Sequence, residues 1–438
     1  MRVAVVQLGC PKNLVDGENL MGQLIEAGHE SVGNLDAEAV IVNTCGFIDS
    51  AKEESINAIL RVAQLKGSGR VKRLIVAGCL AQRYRDELKR EIPEIDGFIP
   101  LSAAADAVRL LSEPSLDVRL SPEIPILDGL VPRVLSTPRH LAYVKIADGC
   151  DNRCAFCSIP GFRGAFHSRP LSDIVREATG LVTGGVKEIV LVAQDTTAYG
   201  VDLGMKEGLA TLLRALDEKA GAEWIRILYA YPNRVTTALM EAMAECGSVV
   251  PYIDIPLQHA SSSILKTMAR GGSAETYLDL ISRLRSTVEN IAVRSTFIVG
   301  FPGEGESEFE ELTDFLEEAC LENVGVFPYS REEGTSAWTL GDPVPAEVKN
   351  ERVRRLMELQ KKISACRNRA MVGETRRVLI EGACEETEHL LQGRLAVQAP
   401  EIDGHVLIND GFAAPGSFAD VIITQAGSYD LVGGIVER

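Results

Sequence analysis

The run Cys150-Asp151-Asn152-Arg153-Cys154-Ala155-Phe156-Cys157 decides how this chain is read. Its cysteines follow a C-x3-C-x2-C spacing and come directly after the strand-like stretch Leu141 to Ala147. Three thiolates so spaced bind three irons of a 4Fe-4S cube and leave the fourth iron open to a ligand that is not protein. A structural zinc site would need four ligands, usually as two separated pairs. No fourth cysteine lies nearby, and only His167 keeps the zinc reading open.

Outward from this loop, strand-like runs at 141–147, 188–193, 225–229, 252–256, 292–300 and 323–328 alternate with helical stretches. The pattern predicts a mixed α/β fold with a partial (β/α)6 barrel, since a full eight-stranded barrel needs more chain than this region has. In such barrels the reactive end is at the carboxyl ends of the strands, where the cysteine loop falls. Gln194, Asp195 and Thr196 follow the second strand, placed to hold the amino or ribose groups of a nucleoside. Gly300, Pro302 and Gly303 end the fifth and allow close backbone approach of an adenine. For both groups, plain turn chemistry is an equal alternative. Arg163, Arg169 and Arg294 suit a carboxylate or a solvated surface, and His259 suits a helix cap.

The first hundred residues also alternate strands (Val3 to Leu8, Ala39 to Asn43, Arg73 to Ala77) with helices (Asn13 to Ala27, Ser50 to Leu65), the pattern of a parallel sheet. Cys10, Cys45 and Cys79 each come just after one of these strands, at intervals of 35 and 34 residues. Parallel strands joined by helices present their carboxyl ends at one edge, so three thiols distant in sequence are expected to converge there. Burial of three unrelated cysteines is the plainer alternative. Cys246, Cys320, Cys366 and Cys384 share no spacing and are expected to be structural, Cys320 on an apolar helix face. Leu8-Gly9-Cys10 has the outward form of a lipoprotein cleavage site, but only Val3 to Val6 is apolar before it, too little for a signal segment.

Prolines 114, 122, 125, 132 and 138 mark a linker, and beyond the charged helix around 348–369 short alternating strands predict a small five-stranded β-barrel. The expected units are an N-terminal α/β domain (1–112), a linker (113–135), the partial barrel (136–368) and the β-barrel (369–438). Ten cysteines without an export signal point to a reducing cytoplasm, and no apolar run approaches the roughly 20 residues of a membrane span. The net charge of −17 disfavours DNA or any extended phosphate backbone as partner. From Met371 onward, 4 Arg and no Lys face 11 Asp and Glu, which suits a basic protein better than tRNA.

Longer motifs accompany the cysteines: Leu8-Gly-Cys-Pro-Lys-Asn-Leu-Val-Asp16, Asn43-Thr-Cys45, Gly78-Cys79, Ala193-Gln-Asp-Thr-Thr-Ala-Tyr-Gly200, Tyr252-Ile-Asp-Ile-Pro-Leu-Gln-His259 and Tyr329-Ser-Arg-Glu-Glu-Gly-Thr335. On these motifs the whole chain resembles the methylthiotransferase family of the radical S-adenosylmethionine superfamily, with a C-terminal TRAM module. The last three resemble the branch that modifies a ribosomal protein; the tRNA-adenosine branch is the alternative, and a non-catalytic iron–sulfur scaffold on the ribosome is an alternative of another class. Gly17 and the pair Gly271-Gly272 stand where bulkier or charged residues are expected.

The resemblance implies two 4Fe-4S clusters, one on Cys150, Cys154 and Cys157 that binds and reduces S-adenosylmethionine, and one on Cys10, Cys45 and Cys79 that carries sulfur. It implies cofactor contacts from Phe156, Gln194, Asp195, Arg294 and Gly300. The implied reaction takes hydrogen from the β-carbon of an aspartate in small-subunit ribosomal protein twelve and places a methylthio group there, with electrons from a flavodoxin or ferredoxin.

Overall fold

The computed structural model describes residues 1–101, 106–113, 131–384 and 387–436. Most of the expected linker, residues 114–130 with Pro114, Pro122 and Pro125, lies outside the described residues.

The N-terminal unit is a five-stranded parallel sheet in the order β2-β1-β3-β4-β5. Its elements run β1 Arg2–Gln7, α1 Pro11–Glu26, β2 Glu30–Ser31, β3 Ala39–Thr44, α2 Asp49–Gly67, β4 Arg73–Gly78, α3 Cys79–Glu91, β5 Gly97–Ile99 and α4 Asp106–Ser112. The central strand β3 is buried along its whole length, as a strand covered by helices on both faces must be. Sequence periodicity did not mark α3, because only Leu80, Ala81 and Leu88 of its apolar side chains are buried beside Cys79.

The second unit places six parallel strands in sequential order: β6 Leu141–Lys145, β9 Glu188–Val192, β10 Trp224–Ile227, β11 Val249–Asp254, β12 Ala292–Val299 and β13 Asn323–Pro328. Between them come α5 Ile159–Arg163, α6 Leu171–Thr183, α7 Gly208–Lys219, α8 Thr237–Glu245, α9 Ser262–Thr267, α10 Ala274–Thr287 and α11 Glu306–Ala319, with α12 Ala346–Ala370 after the last strand. The open (β/α)6 barrel is therefore present. Its first expected strand is shorter than the run 141–147: the chain breaks after Lys145, and β7 Ala147–Asp148 pairs antiparallel with β8 His167–Ser168. That small hairpin is the rim that carries the cysteine loop.

Side chains alternate across each barrel strand. Ala142, Val144, Ile189, Leu191, Ile225 and Ile227 pack outward under the helices. Leu141, Tyr143, Val190, Val192, Trp224 and Tyr252 face inward, where Leu14 and Val15 of α1 meet them from one side. Leu379, Ala396, Val397 and Ala399 of the third unit meet them from another. That unit is a closed barrel of β14 Thr375–Cys384, β15 Thr387–Leu395, β16 Val406–Asp410, β18 Leu431–Ile435 and β17 Phe418–Ala426, in that spatial order. Buried charge ties it to the partial barrel: Glu188 accepts from Arg226 at 2.7 Å and from Arg394 at 2.5 Å. Tyr252 donates to Asp403 at 2.7 Å, and Arg294 pairs with the same carboxylate at 3.3 Å.

Two expectations change. Cys246 and Cys384 are buried, but Cys320 and Cys366 are exposed; Cys320 ends α11 in the left-handed region (φ 45°), which turns it off the apolar face. Gly17 makes room for a neighbour: a Cβ there would stand 1.8 Å from the side-chain amide of Gln7, which would have to move.

Candidate active site

In the N-terminal sheet, Thr44 is in register with Gly78, so Cys45 and Cys79 leave adjacent strands at the same level. Cys10 caps α1 just past β1, the strand on the other side of β3. Glycines let the three loops touch. A Cβ on Gly9 would lie 2.7 Å from the Cβ of Cys45 and 3.0 Å from its Sγ. One on Gly46 would lie 3.0 Å from the carbonyl carbon of Cys79, and one on Gly78 2.4 Å from the Thr44 oxygen. Gly78 also sits at φ 88°, ψ −161°, a conformation essentially reserved for glycine. The three loops that carry Cys10, Cys45 and Cys79 therefore meet at one edge of the sheet.

Arg163, at the end of α5 and 3 % exposed, joins this edge to the barrel rim. One Nη donates to the Sγ of Cys79 at 3.4 Å and to Asp16 at 2.9 Å. The other donates to Asp148 at 3.0 Å. Lys145 bridges the same two carboxylates, Asp16 and Asp148. Burial pushes the thiol of Cys79 up to about 12 and raises that of Cys45. Burial acts upward on Cys10 too, but Lys12 and Arg163 outweigh it and its pKa falls. The ammonium of Lys12 lies 3.3 Å above the ring of Tyr229, and burial lowers its pKa.

The second triad is built within one loop. Gly149 (φ 74°) turns the chain where a Cβ would strike the Ala165 oxygen, and Cys150 N–H donates to the Gly164 carbonyl at 3.2 Å. Ala155 is clamped by two backbone bonds, its N–H to Met268 and its carbonyl from Ala337, both 2.8 Å. Arg270 points at the Cys154 Sγ from 3.5 Å, held by the Pro256 carbonyl and by the ring of Tyr231 at 4.4 Å. Burial pushes Cys150 up to about 11 and Cys157 up to about 12.

All ten cysteines are free. Among the described residues no group of three His, Cys, Asp or Glu could hold a metal ion as one cluster of ligands. A cube is a different demand, since each thiolate binds its own iron and the three stand farther apart than ligands of a single ion. Each triad supplies three buried or half-buried thiols with a guanidinium N–H on one sulfur, a donor set and charge balance that fit such a cluster. His167 is exposed and faces Asp202 at 3.7 Å.

The remaining sequence-marked residues already have protein partners. Phe156 packs edge-on against Phe301 at 6.5 Å, and Gln194 donates to Asp148 at 3.1 Å. Asp195 accepts from Asn152, Thr197 and Arg234, and Arg294 pairs with Asp254 and Asp403. Gly300 (φ 74°) donates to Glu304 at 2.7 Å, and the side chain it abuts is Lys349. Arg169 binds the Lys145 carbonyl and Glu177, and His259 caps Ser261 through Nδ1 while Nε2 stands 3.4 Å from Glu304. Sequence reasoning did not single out Asp16, Lys12, Asp148 or Arg270. The first two lie within the motif from Leu8 to Asp16, and that adjacency to Cys10 was the available signal.

Family models match all three units of the chain. The radical SAM superfamily model matches residues 144–316, the uncharacterized protein family UPF0004 matches 2–100, and the TRAM domain matches 372–436. Among solved structures, the radical S-adenosylmethionine methyltransferase TsrM from Kitasatospora setae, with cobalamin and a 4Fe-4S cluster bound, overlays with a TM-score of 0.58 at 14% identity. That overlay covers 77% of this chain and 76% of the other, a likeness of fold. Fold and site together define a radical S-adenosylmethionine enzyme, a class that works with an iron–sulfur cluster and S-adenosylmethionine.

Full-length relatives narrow the class. Proteins named ribosomal protein uS12 methylthiotransferase RimO are 50% identical in Anaeromyxobacter sp. (strain K), covering 100% of this chain and 94% of theirs. Those of Solibacter usitatus are 48% identical (100% and 95%) and those of Myxococcus xanthus 46% (99% and 91%). The chain belongs to the RimO family of methylthiotransferases.

Proposed function

We propose that this protein adds a methylthio group to the β-carbon of an aspartate in ribosomal protein uS12, using one 4Fe-4S cluster on Cys150, Cys154 and Cys157 and a second on Cys10, Cys45 and Cys79. The observation that carries the two-cluster reading is the meeting of three strand-end loops at Gly9, Gly46 and Gly78, with Arg163 reaching from Cys79 to the rim of the cysteine loop. When bound, the clusters and S-adenosylmethionine supply the sulfur and the radical chemistry that an unactivated C–H bond requires. The chain's own part is to hold the two centres at a fixed relation and to exclude water. Lys145 and Arg163, each bound to both Asp16 and Asp148, do the first.

Phe156, Gln194, Asp195, Arg294 and Gly300 are assigned to the S-adenosylmethionine end of the site, the polar ones shaping it through the partners they hold. The working units are residues 1–112, the linker 113–135, the barrel 136–368 and the TRAM module 369–438. The acidic balance of that module favours the basic ribosomal protein over tRNA. A low-potential carrier such as flavodoxin or ferredoxin brings the electrons, and the reaction takes place in the cytoplasm; among the described residues no helix is long and apolar enough to cross a membrane.

Iron and sulfide analysis after anaerobic reconstitution tests the reading. About eight irons per chain, falling to about four when Cys10, Cys45 and Cys79 are all Ala, is the expected result. About four irons in both proteins would remove the second cluster and the sulfur-insertion chemistry with it.

A further inference from the structure

We infer that Lys12 is the residue that receives the side-chain carboxylate of the target aspartate, and so sets the preference for an acidic residue. The inference rests on the proposed protein substrate and goes beyond it, to the group that recognises it.

Lys12 is 8 % exposed, lies on the first turn of α1 two residues past Cys10, and projects to Tyr229 at the carboxyl end of β10. Its ammonium thus stands at the seam between the N-terminal cysteine edge and the mouth of the barrel, where a side chain lying between the two centres would pass. The backbone that carries the ring beneath it is held on both sides. Tyr229 has φ 62°, its N–H donates to Asp254 at 3.0 Å and its carbonyl accepts from Thr196 at 3.1 Å.

The other cations around this space already have anionic or carbonyl partners. Lys145 and Arg163 share Asp16 and Asp148, Arg294 holds Asp254 and Asp403, and Arg270 holds the Pro256 carbonyl. Among the described residues Lys12 and Arg270 of this set form no ion pair, and Arg270 is held by a carbonyl; Cys10 is the strongest negative charge that Lys12 feels, ahead of Asp254 and Asp148. A buried ammonium held over a π-face without a carboxylate is costly, and an arriving carboxylate offsets that cost. An asparagine in the same place offers no charge.

Binding, rather than turnover, separates the readings. A basic fluorescent peptide carrying the uS12 loop around the target aspartate, and its twin with asparagine, are titrated anaerobically into the reconstituted full-length enzyme. The unaltered enzyme is expected to prefer the aspartate peptide by about tenfold or more. Lys12→Met should bring that ratio to about one, with iron and sulfide content unchanged, while Lys12→Arg keeps most of the preference. A Lys12→Met enzyme that discriminates as well as the unaltered one overturns the role of Lys12 alone. So does one that loses iron and sulfide, because Lys12 would then serve the cluster. Equal affinity of the unaltered enzyme for both peptides overturns the role of Lys12, whereas failure to bind either peptide overturns the proposed substrate and that role together.

Discussion

Cys150, Cys154 and Cys157 lie within eight residues of one loop, whereas Cys10, Cys45 and Cys79 are gathered from three strand ends across seventy residues. The loop triad is organised by its own backbone, with Cys157 N–H bonded to Cys154, and by two clamps on Ala155. The dispersed triad has no local framework and depends on strand register, on glycines that let loops touch, and on Arg163 from the other unit. A local device tolerates change elsewhere in the protein. A device assembled by topology inherits every weakness of the packing that assembles it.

The largest effects should come from emptying each triad. Replacing Cys150, Cys154 and Cys157 by Ala is expected to abolish cleavage of S-adenosylmethionine altogether. Replacing Cys10, Cys45 and Cys79 should leave 5′-deoxyadenosine formation, read by chromatography, but no methylthiolated peptide by mass spectrometry. Loss of cleavage in both variants would mean the triads form one functional unit and would break the comparison.

Next in size is the link between them. Arg163→Met leaves Asp16 and Asp148 with Lys145 as their only shared cation, and truncating one partner of a buried charge cluster costs about 3–5 kcal/mol. Denaturation of the metal-free protein should show that loss. Reconstituted Arg163→Met should also lose iron first from the dispersed triad. Glu188→Gln, at the opposite end of the barrel, leaves Arg226 without a carboxylate and Arg394 with Glu381 alone, and should cost a similar amount, with iron falling equally at both triads.

Glycines sharpen the contrast at smaller scale. Gly78→Ala should destabilise by about 1–3 kcal/mol, since its backbone lies in a region closed to other residues and its Cβ would meet Thr44. Gly161→Ala, near the loop triad with open space around it, should stay within about 0.5 kcal/mol. Thermal melts of the two metal-free variants make the test.

The smallest effect is one of pH. Burial alone would raise the pKa of Glu188, but Arg394 and Arg226 outweigh it, so its folded pKa lies below the unfolded value of about 4.3. Its stabilisation is complete above that value and is lost as pH falls through it toward the folded pKa. Metal-free Glu188→Gln should therefore show a flatter acid limb below about pH 4 and an unchanged slope between about pH 6 and 8. An unaltered acid limb would mean that this pair does not hold the TRAM module to the barrel.

Much of the fold was legible because its signals are local. Apolar runs of strand length, separated by helical spacing, marked three of the five N-terminal strands and four of the six barrel strands nearly to their ends, while β11 starts three residues earlier than its expected run and the short edge strands β2 and β5 carried too few residues to show. The first barrel strand ran shorter, because the chain must leave the sheet at Ile146 to form the rim hairpin that presents Cys150. α3 was missed because its amphipathic stripe is thin and its first residue is a cysteine. Cys320 was misjudged because a left-handed cap turned it outward, and helical periodicity cannot register a single φ.

The sequence by itself determined the positions of the two cysteine triads, the order of the three units and the family. Those features lie in short spacings or in the repeated succession of strand and helix, both of which survive in one dimension. Tertiary structure alone decided which charges meet. Asp16 finds Lys145 and Arg163 across 129 and 147 residues, and Asp195 and Gly300, free in the sequence, turn out to be held by Arg234 and Glu304. It also decided that Lys12 has none of these carboxylates. Ion pairing depends on a few ångströms of separation between elements, and no interval along the chain carries that distance.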